Sequence, residues 1–259
     1  MTAITTADPR AHQARVVEVW DHLWVNQPTD AKDDELLVRE CASKRWRLIV
    51  DRIQQTFGRI RGLRTIELGS GRGDLSALLA QEGADVTLLD SSDRALDQAR
   101  TRFDRLGLSA KFRKGDLFTD AAQHDGYDVA LSSGVIEHFQ GDHRTRAVKS
   151  HRDALHGRGL AIISVPNAHC PPYRIWKAWL ELRQCWPYGY EKPYSRHELI
   201  RRARNAGFQR TEVRGFGFRQ AMVDQLVPLL TGRRTRKCNP DSILDDRMGL
   251  ALVLFGWNS

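Results

Sequence analysis

One run of residues constrains the fold more than any other: Thr65-Ile-Glu-Leu-Gly-Ser-Gly-Arg-Gly-Asp-Leu-Ser76. Gly69, Gly71 and Gly73 follow a short apolar segment and open a helical one. A strand that turns directly into a helix needs glycine at one position of unusual φ. Three alternating glycines exceed that need. They leave space for a ligand against the backbone, next to a helix N-terminus whose N–H groups lack intrahelical partners. The spacing is not the dinucleotide fingerprint G-x-G-x-x-G, whose third glycine would fall at Asp74.

The segments that follow alternate in the same way. Strands are predicted at Arg64–Leu68, Asp85–Asp90, Ala110–Lys114, Tyr127–Ser132 and Leu160–Val165. Helices are predicted between them at Asp74–Glu82, Ser92–Leu106 and Gly141–Leu155. Short apolar strands separated by helices imply an α/β fold, a parallel sheet covered on both faces. Ligands in such sheets bind beyond the carboxyl ends of the strands. Ser195–Ala206 carries a capping box, Ser195 with Glu198 three residues on. Phe208–Phe218 and Gly249–Trp257 read as two late strands, with a helical segment near Gln220–Leu230 between them.

Residues 1–62 read as helical. Asp30 and Asp33 are cap candidates before an apolar stripe of Leu36, Leu37, Cys41, Trp46, Ile49, Ile53 and Phe57. The expected organisation is an N-terminal helical cap, 1–62, and a domain at 63–259 with an irregular insert at 166–195. Its 259 residues suffice for one large domain. No run approaches the roughly 18 apolar residues of a membrane span. The N-terminus lacks the pattern of a secretory signal. Cys41, Cys170, Cys185 and Cys238 form no C-x-x-C pair, so reduced thiols in a cytoplasmic protein are expected. The net charge of +8 comes from 40 basic residues, of which 32 are Arg. This points to compositional bias more than to a polyanionic partner.

Three later motifs follow: a strand-end acid, which suits ribose-bearing cofactors of more than one kind, and two that narrow the ligand. Val86-Thr-Leu-Leu-Asp90 ends a strand in an acid, Lys114-Gly-Asp-Leu117 follows the third strand, and Tyr127-Asp-Val-Ala-Leu-Ser-Ser-Gly-Val-Ile-Glu-His-Phe139 spans the fourth. With the glycine loop, this series resembles the class I S-adenosylmethionine (SAM)-dependent methyltransferases, over residues 64–165. The resemblance implies a Rossmann-like, doubly wound, seven-stranded sheet of order 3-2-1-4-5-7-6, ending in an antiparallel strand. It implies SAM as cofactor. The loop from Glu67 through Gly69, Ser70 and Gly71 to Gly73 would cradle the methionine part. Asp90 would accept the ribose hydroxyls, with Ser91 beside it near the adenine. Asp116 would accept from the adenine amino group, and Leu117 would pack on the ring. Ser132 and Ser133 would lie under the methionine moiety.

An oxygen or nitrogen acceptor calls for a general base within about 3 Å. His138 is the first candidate and His169 the second. Some relatives bind a divalent metal through Glu-x-x-Glu-His at the place of Gly134-Val-Ile-Glu-His138. Here the first glutamate is Gly134, so no metal is expected, and Glu137 is read as a cap or salt-bridge residue.

Substrate contacts are expected from the insert and the cap. Tyr173, Tyr188, Tyr190 and Tyr194 fall in under thirty residues with Trp176, Trp179 and Trp186, and pockets for organic ligands are lined by such aromatics. Ile175, Trp176, Trp179 and Leu180 also have the spacing of a helix face packed on the sheet. Trp20 and Trp24 would close over SAM or bury a helical core. The favoured acceptor is a small or medium organic molecule, uncharged or anionic, such as a natural product, quinone or lipid precursor. An RNA acceptor is the alternative, resting on Gly232-Arg-Arg-Thr-Arg-Lys237 and on aromatics able to stack bases. A non-catalytic SAM-binding protein is the second. The oligomeric state is not readable from the sequence.

Overall fold

The computed structural model describes residues 18–21, 23, 31–122, 126–232 and 241–258. Trp24, Asp30, the side chain of Asp33 and the basic run at 233–237 lie outside the described residues.

Seven strands form one sheet: β1 (Arg64–Leu68), β2 (Asp85–Asp90), β3 (Lys111–Lys114), β4 (Tyr127–Ser133), β5 (Leu155–Pro166), β6 (Arg210–Phe216) and β7 (Ala251–Trp257). Their spatial order is β3-β2-β1-β4-β5-β7-β6. The first five run parallel, and β7 lies antiparallel between β5 and β6. This is the order expected from the sequence. The register brings Asp90 level with Lys114 and Ser133 level with Ser164, so the carboxyl ends form one rim.

The helices are α1 (Ala31–Cys41), α2 (Lys44–Phe57), α3 (Asp74–Gln81), α4 (Asp93–Arg105), α5 (His143–Asp153), α6 (Pro171–Leu182), α7 (Arg196–Asn205) and the short α8 (Asp245–Met248). A further helical run at 218–231 contains a π-turn at Met222–Leu226. Alternate residues of each strand point to opposite faces, and both faces are apolar because both are covered. Leu88, Val129, Leu131 and Ile162 meet Ile49 and Ile53 of α2, Leu75 and Leu79 of α3, and Phe103 of α4. Leu89, Ala130, Ala161 and Ile163 meet Ala147 and Val148 of α5 and Leu199 and Ala203 of α7. Among the described residues, no helix is long and apolar enough to cross a membrane.

Three local expectations need correction. The N-terminal apolar stripe belongs to two helices, broken at Ser43. The Ser43 hydroxyl accepts from the Trp46 N–H at 3.0 Å and caps α2, which ends at Gly58 in the left-handed region (φ 71°). Strand β5 begins at Leu155, ahead of the expected Leu160, because the chain runs through Gly157 and Gly159 with a register shift against β4. The insert is not wholly irregular. It contains α6, which starts with Pro171 and Pro172, in the one turn where missing N–H groups cost nothing.

Candidate active site

A cavity of about 270 Å³ opens at the carboxyl ends of β1, β2 and β4. The glycine loop forms its floor. Gly69, Gly71 and Gly73 have φ of 65°, 53° and 70°, in the left-handed region. A Cβ at Gly69 would stand 2.7 Å from Val135, so the loop and the turn after β4 close on each other only around glycine. Glu67 is buried beneath the loop. Its Oε2 accepts from the Ser76 N–H (3.1 Å) and hydroxyl (2.6 Å), groups in the first turn of α3. Burial pushes this carboxyl up to about 7, against the pull of the Ser76 hydrogen bonds. At the tip of β2, Asp90 accepts from the N–H groups of Gly71 (2.8 Å) and Ser92 (2.9 Å). The same carboxylate therefore lines the cavity and fixes the loop. Burial raises its pKa despite these donors. Ser70, Ser91, Asp116, Leu117, Phe139 and Trp20 complete the wall. The Ser70 hydroxyl is buried without a hydrogen-bond partner among the described residues, and such a polar atom suits a ligand contact.

A second cavity, of about 350 Å³, adjoins the first. Its walls are Tyr173, Trp176, Trp186, Tyr188 and Glu191 of the insert, Phe216 of β6, Ser164 of β5, and Glu137. Arg45, Ser133 and Gly134 line both cavities. Arg45 spans the junction: it donates to the Ser133 hydroxyl (2.6 Å) and clamps Glu40 through two nitrogens (2.7 and 2.6 Å).

The methyltransferase domain family matches residues 39–213, more than half of the chain. The chain belongs to this methyltransferase family. A ubiquinone biosynthesis O-methyltransferase from Ruegeria pomeroyi is 29% identical over 161 residues, covering 61% of this chain and 64% of that protein. The chain thus spans less than two thirds of the length of that curated relative. The fold is shared with magnesium protoporphyrin IX methyltransferase from Synechocystis, solved with bound S-adenosylhomocysteine (TM-score 0.57, 17% identity, 97% of each chain). It is also shared with 1,6-didemethyltoxoflavin-N1-methyltransferase from Burkholderia thailandensis (TM-score 0.60, 17% identity, 100% of this chain and 93% of that one).

Within this family frame the structure sorts the residues named from the sequence. Glu67, Gly69, Ser70, Gly71, Asp90, Ser91, Asp116, Leu117 and Ser133 share the first cavity. Gly73 does not line it: a Cβ there would meet Leu88 at 2.3 Å, so this glycine serves the packing of α3 on β2. Ser132 points away. Its hydroxyl is buried against the His151 Nε2 at 2.8 Å, because successive strand residues face opposite sides. His138 lines the first cavity, with Nδ1 at 2.7 Å from the Tyr190 carbonyl and its ring edge-on to Trp20. A carbonyl only accepts, so Nδ1 carries a proton toward it. His169 is exposed, lines neither cavity, and contributes its backbone N–H to Asn167 Oδ1 (2.9 Å).

The aromatics divide too. Tyr173 and Tyr188 line the second cavity, and the Tyr173 hydroxyl donates to Glu191. Tyr194 is fully buried under the Arg144 guanidinium, 3.5 Å from its ring centre, and is a core residue. Tyr190 is 40% exposed, lines neither cavity, and its carbonyl meets the His138 Nδ1. Trp176 faces the second cavity, whereas Ile175 and Trp179 lie on the exposed side of α6.

Three residues escaped the sequence reading. Arg45 has no motif and stands in a run of basic residues. Glu137 is neither a cap nor a salt-bridge residue: it is buried, its Oε2 has no hydrogen-bond partner, and burial, reinforced by Glu191, pushes it up to about 8. Glu191 joins it from the insert. Glu137, His138 and Glu191 each offer one donor atom within 4.8 Å of the others, so the glycine at 134 does not empty this corner of cation-binding groups.

Proposed function

We propose that this chain transfers the methyl group of SAM to an organic molecule held in the second cavity. The observation that carries this reading is the shared wall: a ligand over the glycine loop and a ligand among the insert aromatics would meet across Arg45, Ser133 and Gly134. SAM, when bound, supplies an activated methyl on sulfonium sulfur. The chain supplies alignment, which alone is worth several kcal/mol of barrier. Asp90 would hold the ribose hydroxyls, Asp116 and Leu117 the adenine, and Glu67, Ser70 and Gly71 the amino-acid end. The 1–62 segment acts as a cap on the 63–259 domain, as Trp20 on the first cavity and Arg45 on both suggest. Tyr188 meets Trp20 in a tilted ring contact and Trp186 edge-on, a run of apolar surface that would keep water from the junction. The free thiols of Cys41, Cys170 and Cys185 suit a cytoplasmic setting.

A small organic acceptor is favoured because the second cavity is compact and aromatic on several sides, and because the relative from Ruegeria pomeroyi is named for O-methylation in ubiquinone biosynthesis. The test is calorimetric titration with S-adenosylhomocysteine, followed by product release from SAM in the presence of an acceptor panel. Saturable binding, weakened together with turnover in Asp90→Ala, is expected. Absence of binding at millimolar ligand overturns the reading.

A further inference from the structure

We propose that the second cavity recognises its ligand by a basic amine, whose ammonium group sits against Glu137 and Glu191. This rests on the reading of that cavity as the acceptor site and goes beyond it by assigning a charge to the acceptor. It reverses the uncharged or anionic acceptor expected from the sequence.

The polar lining of the cavity is unbalanced. Four buried side-chain atoms there have no hydrogen-bond partner among the described residues: Glu137 Oε2, Ser164 Oγ, Gln225 Oε1 and Trp186 Nε1. Gln225 Oε1 only accepts, Trp186 Nε1 only donates, the Ser164 hydroxyl does either, and the Glu137 carboxyl becomes a pure acceptor when a cationic donor takes its proton's place. Buried polar atoms left unpaired are costly, so a ligand that fits must bring more donors than acceptors.

The charges point the same way. Arg45 is clamped by Glu40, and Lys44 is paired with Asp245 at 3.0 Å. Both basic residues of the wall are therefore neutralised by the protein. Glu137 has no such ion pair among the described residues: the Arg144 guanidinium acts on it from a distance, with Nε on Glu198, Nη1 on the Lys192 carbonyl and Nη2 buried without a hydrogen-bond partner among the described residues. Glu191 has the Tyr173 hydroxyl, and the nearby Lys177 ammonium is bonded to Glu181 at 2.6 Å. Among the described residues, Glu137 and Glu191 are therefore acidic groups of the wall with no ion pair to a protein cation, and an ammonium docked between them would favour their ionised form.

Shape separates an ammonium from a metal ion. Charge-assisted N–H···O bonds of about 2.8 Å hold two acceptors of one tetrahedral ammonium about 4.6 Å apart. That fits within the 4.8 Å span of Glu137, His138 and Glu191. A hard cation seeks six or more oxygens at 2.0–2.6 Å by the general rule, whereas this wall also presents the rings of Tyr173, Trp176, Trp186 and Tyr188. Such rings attract an organic cation through their π faces. The Lys177 ammonium already sits 3.8 Å from the centre of the Trp186 ring.

The test uses the full chain loaded with S-adenosylhomocysteine. It is titrated by calorimetry with 2-phenylethylamine, with its neutral isostere 2-phenylethanol, and with 3-phenylpropionate. The amine is expected to bind at least tenfold more tightly than the alcohol, and the carboxylate most weakly. Glu137→Gln and, independently, Glu191→Gln should each erase the preference while S-adenosylhomocysteine affinity is unchanged. Equal or better binding of the alcohol overturns the inference. So does tight Mg²⁺ or Zn²⁺ binding that displaces the amine and is lost in Glu137→Gln, which would give the corner to a metal. If S-adenosylhomocysteine itself does not bind, the parent reading has failed; if it binds and the amine preference is absent, only this inference has.

Discussion

Asp90 does two tasks with one carboxylate. One oxygen holds the Gly71 N–H at 2.8 Å and the other the Ser92 N–H at 2.9 Å, while the group faces the first cavity. Replacing it by alanine removes the acceptor for a bound diol and also frees the loop. Hydrogen bonds to a charged group contribute about 1.5–3 kcal/mol each. Asp90→Ala should therefore weaken S-adenosylhomocysteine binding by roughly ten- to a hundredfold, measured by calorimetry. Asp90→Asn keeps one oxygen acceptor and should fall between. An Asp90→Ala affinity within twofold of wild type would remove Asp90 from the proposed cofactor site. Residues of this kind were readable in the sequence because their geometry is local: Asp90 ends a strand, and Gly71 sits in the turn of the neighbouring one. Arg45 and Glu191 were not, because their roles depend on which distant segments the sheet brings together. Ser132 and Ser133 show the limit inside one motif. The pair was legible, but only the pleat of β4 decides which hydroxyl faces the cavity and which faces His151.

At the scale of elements, the start of α3 carries the glycine loop into the fold. Gly73 is its N-cap, with φ 70° and ψ 43°. A methyl group there adds left-handed strain of about 1–2 kcal/mol. It also places Cβ 2.3 Å from Leu88, a fully buried side chain with no room to retreat. Overpacking a core typically costs 1–3 kcal/mol more. Gly73→Ala should therefore lose about 2–5 kcal/mol of unfolding free energy in urea. Because Gly73 does not line the cavity, the folded fraction should keep its ligand affinity. A stable variant with weakened binding would instead place Gly73 in the cofactor site. Most element limits followed from period and punctuation, which are properties of neighbouring residues, whereas the sheet order came only with the family resemblance. The insert did not, because Pro171-Pro172 signals a break to a sequence reader and a helix start to the fold. Its tyrosines, alike in the sequence, separate by contact: Tyr188 onto the cavity, Tyr194 into the core, Tyr190 toward solvent.

At the scale of the whole molecule, the buried acids of the two cavities set the pH dependence of stability. Burial holds Glu67 at about 7 and Glu137 at about 8, above the value of about 4.3 expected for an unfolded glutamate. Between these limits the folded chain keeps protons that the unfolded chain has released, so these two groups make stability fall as pH rises. His151 works in the opposite direction. Burial lowers it to about 4, the unfolded imidazole titrates near 6.5, and stability gains as pH rises between the two. Below pH 6.5 the imidazole and the carboxyls oppose each other. Above it the imidazole contributes nothing further, and the carboxyls act until each has ionised in the folded state. The ligand-free protein should accordingly lose stability between pH 6.5 and 8.5, opposite to a protein whose acids are salt-bridged. Glu137→Gln keeps the shape and removes one titration, and so should reduce that loss by on the order of 1–2 kcal/mol. Urea denaturation of both proteins at the two pH values measures it. Equal losses in wild type and variant would show that Glu137 is already ionised at pH 6.5 in the folded chain, held so by a cationic partner within the protein.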